Sequence, residues 1–224
     1  MYMKTIKKVV LIVCSGITLL TVSNRVYAYS IGNISTQQIE NTYSKTPQQE
    51  KILVSKFIKG DKKLTNKDIS YIYYNYQVKN GDSIKANLTA KIDSYVNKKR
   101  YEDALSLAES SFAKLPYAIS LVNRACDLAQ HIKSDKVDLF VWQLAGLFHA
   151  IGMSGKGTGF EDAYKVRSLQ DAYLFETLWQ QTPMNDIVGK EEVNKGKDKY
   201  YVLSKKSHTN KNFEKVYFML SLPD

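Results

Sequence analysis

The sequence predicts an α+β fold in which helical hairpins are followed by a small, mostly antiparallel sheet with one short helix. Two observations support this prediction. Through about residue 151, apolar residues recur three and four positions apart, which is the spacing of amphipathic helices. Beyond the glycine-rich stretch 152–159, they form short runs separated by turn residues, which is typical of strands. A chain of 224 residues, 44% hydrophobic and 24% charged, is also long enough to bury a core.

The first 28 residues have the three parts of a secretory signal peptide. Lysines precede an uncharged apolar stretch over residues 9–20, and Val26-Tyr27-Ala28 fits the narrow pockets of signal peptidase. Cleavage after Ala28 would lower the formal charge from +10 to +6, because residues 1–28 hold four basic residues and no acidic one. The sequence therefore predicts an exported protein, periplasmic or extracellular, with no transmembrane segment in the mature chain.

A polar N-terminal segment and the first helices follow the predicted signal. Residues 29–45 lack a sustained period and are predicted to be exposed, whereas residues 46–153 are predicted to form a helical region of about five helices. Thr46 stands directly before a proline and is followed by a glutamine three positions on, which is the pattern of a capped helix start. Thr65 opens a second helix, which we expect to continue to about residue 78.

A helical hairpin is predicted over residues 84–115, with its turn at 98–100. Another helix is predicted over residues 117–132. Ser134 and Asp135 are predicted to cap the next helix, whose apolar residues occupy most of its circumference. A helix of that kind is expected to lie centrally in the fold.

Residues 154–224 are predicted to form a small α+β region packed on the helices, so that the chain is one globular unit. The glycine-rich stretch is interpreted as the joint between the two regions, because glycine often marks connections. The predicted elements after it are a strand at 163–166, a helix at 170–179 and strands at 185–193, 199–205 and 213–220.

The predicted hairpin resembles part of a tetratricopeptide repeat (TPR). Residues 101–105 match the turn and second-helix start of that repeat. Four residues fall at its characteristic spacings: Leu88, Tyr95, Ala104 and Pro116. The pattern departs from the repeat at Lys91 and Ile92, and a second copy about 34 residues later is degenerate. The resemblance implies TPR-like packing of helices but not a solenoid.

A wider resemblance covers most of residues 65–224. It rests on the tyrosine-rich stretch 69–76, on residues 117–125, and on the glycine stretch 154–158 leading into 163–166. In these stretches the chain resembles a family of secreted Gram-negative bacterial proteins of unknown function, with a helical part ahead of a small sheet. The resemblance implies a helical part followed by a small sheet, and it implies that the protein is exported. It supplies no catalytic residues.

A hydrolase or transferase is one function that the sequence leaves open. Its site would pair Cys126 with His149 on an adjacent helix, or would use acids near the glycine stretch. However, Cys126 falls on the apolar line of its own helix, where a thiol packs as a small hydrophobic group. The glycine stretch lacks P-loop spacing, and neither an H-E-x-x-H motif nor paired cysteines occur. No catalytic residue, cofactor or metal site is therefore predicted.

Tyrosine is the most unusual feature of the composition. Four tyrosines crowd one predicted helix: Tyr71, Tyr73, Tyr74 and Tyr76. They do not fit on a single buried stripe, so we expect at least one to lie near solvent. An exposed tyrosine can anchor a protein partner or stack on a sugar ring. These four residues are the candidate binding residues.

The charge distribution argues against nucleic-acid binding. The basic surplus of the predicted mature chain lies mainly before residue 81. Six of the seven lysines beyond position 194 are expected to gather at one end of the sheet as a solvated edge: Lys195, Lys197, Lys199, Lys205, Lys206 and Lys211. The leading hypothesis is an exported, non-catalytic protein-interaction module that uses its helical hairpins. The alternatives are the enzyme with a site that matches no motif and a glycan-binding protein that uses exposed tyrosines.

Overall fold

The computed structural model describes residues 46–207 and 213–221. The predicted signal peptide, its cleavage at Ala28 and the segment 29–45 lie outside the described residues. The helices are α1 (Pro47–Ile58), α2 (Asn66–Tyr74), α3 (Gly81–Asn97), α4 (Tyr101–Lys114), α5 (Ile119–His131), α6 (Val137–Gly152) and α7 (Leu169–Leu174). The strands are β1 (Tyr164–Val166), β2 (Ile187–Lys195), β3 (Asp198–Lys206) and β4 (Phe213–Leu220). A π-helical turn, Phe175–Trp179, continues α7, and a 3-10 turn, Met184–Asp186, precedes β2.

This order of elements confirms the predicted α+β class. In the described part of the chain, six α-helices precede the first strand, where the sequence predicted about five. The hairpin forms as α3 and α4, which pack on each other across the short turn after Asn97. None of the helices within residues 46–207 and 213–221 has the length and apolar character needed to cross a membrane.

The first two helices begin at the predicted caps. The Thr46 hydroxyl accepts a hydrogen bond from the Gln49 N–H, while the Gln49 side chain accepts one from the Thr46 N–H. Thr65 and Asp68 form the same reciprocal pair at the start of α2. Each pair satisfies two of the N–H groups that a helix start leaves without partners.

Two predicted helix boundaries were wrong. Helix α2 ends at Tyr74, before the predicted residue 78, and the Arg167 guanidinium donates hydrogen bonds to the carbonyls of Tyr73 and Tyr76 there. A charged donor from a distant segment thus satisfies the carbonyls at this helix end. Helix α6 begins at Val137, because the Ser134 hydroxyl accepts from the Lys136 N–H in the preceding turn rather than capping the helix.

The sheet is mixed, with strand order β1-β4-β3-β2. Strands β2, β3 and β4 are antiparallel, as predicted, whereas β1 pairs in parallel with β4. The predicted gathering of lysines at one end was wrong, because Lys195 and Lys199 lie at one end of β3 and its partner while Lys205 and Lys206 lie at the other. Ion pairs join Lys199 to Glu192 and Lys206 to Asp186.

Helix α6 is central, as predicted. It packs against α2, α5, β1 and the π-helical turn. Phe148 of α6 lies 6.1 Å from Phe175 of the turn, measured between ring centroids, and Phe175 lies 6.2 Å from Phe218 of β4. All three rings are buried and belong to one hydrophobic cluster that draws on both the helices and the sheet.

Candidate functional site

The four candidate tyrosines point into the structure. Tyr71 and Tyr73 are buried, Tyr74 and Tyr76 are partly buried, and none is exposed. The Tyr71 hydroxyl donates to Glu50, and the Tyr74 hydroxyl donates to the Lys165 carbonyl at 3.0 Å. Tyr74 and Tyr76 keep part of their surface accessible, which fits the expectation that at least one of the four lies near solvent. A sugar ring could stack only on these two, because the Tyr71 and Tyr73 rings are buried.

Cys126 and His149 occupy different surroundings. Cys126 is fully buried in α5, where its sulfur accepts a hydrogen bond from Gln130 at 3.5 Å. Burial raises the pKa of its thiol to about 12, and the charge of Asp127 adds to this effect. A thiol that stays protonated at neutral pH is a poor nucleophile. In the part of the chain that the structure describes, no hydrogen bond joins it to His149, which packs against Trp179.

Of the two acids nearest the glycine stretch, Asp162 bonds to the loop itself, whereas Glu161 is exposed beside Lys195. The Asp162 carboxylate accepts from the Thr158 hydroxyl at 2.7 Å and from the Gly159 N–H at 2.8 Å. These bonds lower the pKa of Asp162. A side chain at Gly155 would collide with the backbone carbonyl oxygens of Asp162 and Ala163. The loop is therefore a tight turn around the Asp162 carboxylate, which accepts hydrogen bonds from the loop's own N–H groups.

A polar cavity of about 110 Å³ lies where α3, the start of α5 and the β1–α7 connection meet. We call it the Arg167 cavity. Its lining combines two cations, two acids, a tyrosine and small or apolar residues: Arg167, Lys85, Asp82, Asp171, Tyr117, Ser168, Gly81, Val78 and Ala118. The cavity thus brings together chain segments that are separated by up to about ninety positions.

Arg167 is held rigidly in this lining. Its Nη1 atom donates to the carbonyl oxygens of Tyr73 at 2.8 Å and Tyr76 at 3.0 Å, and its Cζ atom lies 3.7 Å from the centroid of the Tyr117 ring. Burial lowers the pKa of the guanidinium. Among the described residues, no carboxylate lies within ion-pair distance of it.

Two helix N-termini also open on the cavity. Gly81 is the first residue of α3 and Ala118 precedes the first residue of α5, and neither helix start has a side-chain cap. A side chain at position 81 would collide with the Tyr117 hydroxyl, so glycine allows this close approach. Uncapped N-termini present free N–H groups and a partial positive charge. Lys85, one turn into α3, adds a full charge.

The two acids of the cavity differ in exposure. Asp171 is 5% exposed, and its Oδ2 atom accepts from the Tyr73 hydroxyl at 3.1 Å. Burial raises the pKa of its carboxyl, although Lys85 opposes this effect. Asp82 is almost fully exposed at the rim and lies 3.8 Å from the Lys85 Nζ atom. The lining therefore carries both signs of charge, with its deepest cation on Arg167.

The comparison with protein families gives one match. A family model described as a domain of unknown function, DUF4919, matches residues 33–223. The chain belongs to the DUF4919 family. No curated protein and no solved structure matches the chain. The residues that line the Arg167 cavity all fall within the DUF4919 match, whereas the predicted cleavage site at Ala28 precedes it.

The cavity-lining residues of this DUF4919 chain were not predicted from the sequence. They follow no motif, because they come from three separate segments, 78–85, 117–118 and 167–171. One signal was present in the composition, since only four of the 32 basic residues are arginines. In a chain that mostly uses lysine, an arginine directly after a predicted short strand indicates a position where a planar, multidentate donor is needed. Arg167 is that residue.

Proposed function

We propose that this protein is a non-catalytic binding protein that holds a small anionic group in the Arg167 cavity. One observation carries the proposal: a partly buried guanidinium, with no carboxylate within ion-pair distance among the described residues, shares a cavity with Lys85 and two uncapped helix N-termini. Removing a cation from water is costly unless an opposite charge compensates it. An anion bound in the cavity would supply that charge.

The groups around the cavity set the expected strength of binding. Hydrogen bonds to charged groups contribute about 1.5–3 kcal/mol each, and a favourable helix terminus adds about 0.3–1 kcal/mol. Two such bonds and two helix termini amount to roughly 4–8 kcal/mol, which corresponds to dissociation constants in the millimolar to micromolar range. A weakly held ligand or a weakly held partner group fits these values.

The proposal retains a central role for the helical hairpin. Helix α3, the first helix of the hairpin, supplies Gly81 and Lys85, and the segment after α4 supplies Tyr117. A protein partner that presents an anionic group therefore remains within the proposed function. The buried thiol of Cys126, with its raised pKa, favours this binding role over nucleophilic catalysis.

Titration with acetate and with inorganic phosphate tests the proposal. We expect the amide resonances of Asp82 and Ile119, near the starts of α3 and α5, to shift on titration, with saturation at millimolar concentrations. Lys85→Gln should weaken binding by about fivefold or more, which is about 1 kcal/mol. Lys91→Gln, an exposed position on the same helix, should leave binding unchanged. No saturable shift with either anion would overturn the proposal.

We further propose that the protein acts outside the cytoplasm, in the periplasm or the extracellular space. The support is the tripartite pattern of residues 1–28. Mass spectrometry of the protein from its native host should give an N-terminus at Tyr29. A mature chain that retains residue 4 would contradict this proposal.

A further inference from the structure

The Arg167 cavity carries carboxylates as well as cations. Asp171 lies inside the lining, fixed by the hydrogen bond from Tyr73 and by the bond that its own N–H donates to the Ser168 hydroxyl at 3.1 Å. Asp82 lies at the rim beside Lys85. A multiply charged anion such as phosphate would approach both acids at a cost, because like charges at short range repel in a partly desolvated site.

A ligand that carries both an anionic and a cationic group would avoid this electrostatic cost. Its anionic group would meet Arg167, Lys85 and the two helix N-termini, and a cationic group next to it would meet Asp171. Burial raises the pKa of the Asp171 carboxyl, and an adjacent ammonium would favour its charged form. The ligand would thus compensate the charges of the partly buried Arg167 and the buried Asp171.

We infer that the Arg167 cavity binds a free α-amino acid with a small side chain, an inference that rests on the proposed function. In such a molecule the carboxylate and ammonium groups are separated by one carbon atom. The cavity volume of about 110 Å³ is well below the roughly 300–1,000 Å³ of clefts that take drug-sized ligands. Val78 and Ala118 supply the apolar surface for a hydrogen atom or a methyl group.

Calorimetric titration of the full chain with glycine and L-alanine tests the inference. Four further probes separate the charges: acetate, methylammonium, glycinamide and N-acetylglycine. We expect glycine to bind at least about tenfold more tightly than acetate or N-acetylglycine, a difference of about 1.4 kcal/mol. Asp171→Asn preserves an acceptor for Tyr73 and should remove this preference without abolishing the binding of acetate. Asp138→Asn, at an exposed position of α6, is the matched control.

The outcomes distinguish the inference from the proposed function. If acetate binds as tightly as glycine, or if the preference for glycine survives Asp171→Asn, the inference is wrong and the anion site stands. If triglycine binds more tightly than glycine, the ligand is a peptide terminus and the inference is again wrong. If none of the anions binds, both fail. Should Asp171→Asn not fold, the ratio of glycine to N-acetylglycine affinities for the unmodified chain decides.

Discussion

The hydroxyl of Tyr73 joins three parts of the chain. It donates to Asp171 Oδ2 at 3.1 Å and accepts from the Arg167 N–H, also at 3.1 Å, while the Tyr73 carbonyl accepts from the Arg167 side chain. Tyr73 is fully buried, so these bonds replace water that the groups would otherwise contact. One side chain of α2 thereby positions both charged residues at the back of the cavity.

Tyr73→Phe tests this role. The substitution removes a hydrogen-bond partner from the Arg167 N–H and from the buried Asp171 carboxyl, and we expect it to lower the free energy of unfolding by about 1–3 kcal/mol. Tyr76→Phe is the matched control, because no hydrogen bond to its hydroxyl occurs within the described residues, and it should change stability by about 0.5 kcal/mol or less. Urea denaturation measures both. Equal effects for the two variants would contradict the role of the Tyr73 hydroxyl in joining these segments.

Asp127, on α5, makes the stability of the folded chain depend on pH. Burial raises the pKa of its carboxyl from 3.8 to about 6, with Arg124 opposing the shift. Its Oδ1 atom has no hydrogen-bond partner within the described part of the chain. Because the folded state holds the proton more tightly than the unfolded state, stability is lost as pH rises through about 4 to 6.

We therefore expect Asp127→Asn to gain stability relative to the unmodified chain as pH rises. The difference between the two free energies of unfolding should move by about 2 kcal/mol between pH 4 and pH 7.5. Asp135→Asn, at an exposed position after α5, is the control that removes the general effect of lost charge. Denaturation at both pH values gives the result, and a pH-independent difference for Asp127→Asn would count against it.

At the scale of elements, an ion pair fastens the π-helical turn to the sheet. The Glu176 side chain is 1% exposed, and its Oε2 atom lies 3.1 Å from the Lys205 Nζ atom of β3 and accepts from the Thr182 hydroxyl at 3.0 Å. Oε1 has no partner among the described residues. A buried carboxylate that depends on one lysine makes this contact sensitive to substitution.

Lys205→Met should lower the free energy of unfolding by about 3 kcal/mol, because it leaves the Glu176 charge buried and unpaired. Adding Glu176→Gln to that variant should recover most of the loss. Lys199→Met is the control: Lys199 pairs with Glu192 at 2.8 Å, but both side chains are about 40% exposed. Such exposed pairs contribute about 0–1 kcal/mol. Similar losses for the two lysine variants would show that burial does not decide the cost.

At the scale of the whole molecule, aromatic rings connect the helical region to the sheet. The chain Phe148, Phe175 and Phe218 runs from α6 through the π-helical turn to β4, and Tyr164 of β1 lies 4.8 Å from Phe175. No polar layer separates the two regions along this line, because all three phenylalanines are buried. A shared core of this kind predicts that both regions unfold together.

The two tryptophans report on different parts of this core. Trp142 contacts Phe57 among the helices, whereas Trp179 belongs to the turn that packs on Phe148. In Trp142→Phe and in Trp179→Phe, we expect the fluorescence of the remaining tryptophan and the far-ultraviolet circular dichroism to follow one urea transition. Separate midpoints in either variant would show that the helices and the sheet unfold as distinct units.

Local patterns predicted the elements and the starts of α1 and α2, but not the end of α2. The caps at Thr46 and Thr65 join residues three positions apart, so the sequence shows both partners together. The end of α2 depends on Arg167, about ninety positions away, and no window of sequence contains both groups. The same separation explains why the sequence does not show the hydroxyl partners of Tyr71, Tyr73 and Tyr74, which lie in distant segments.

The sequence by itself determined the α+β class, the helical hairpin and most element positions, because periodicity and capping act between residues a few positions apart. Only the tertiary structure decided the site. The Arg167 cavity exists because folding brings two helix starts, a partly buried arginine and a buried aspartate to one place. The partners are distant along the chain, and the burial that gives the arginine and the aspartate their electrostatic character arises only when the chain has folded.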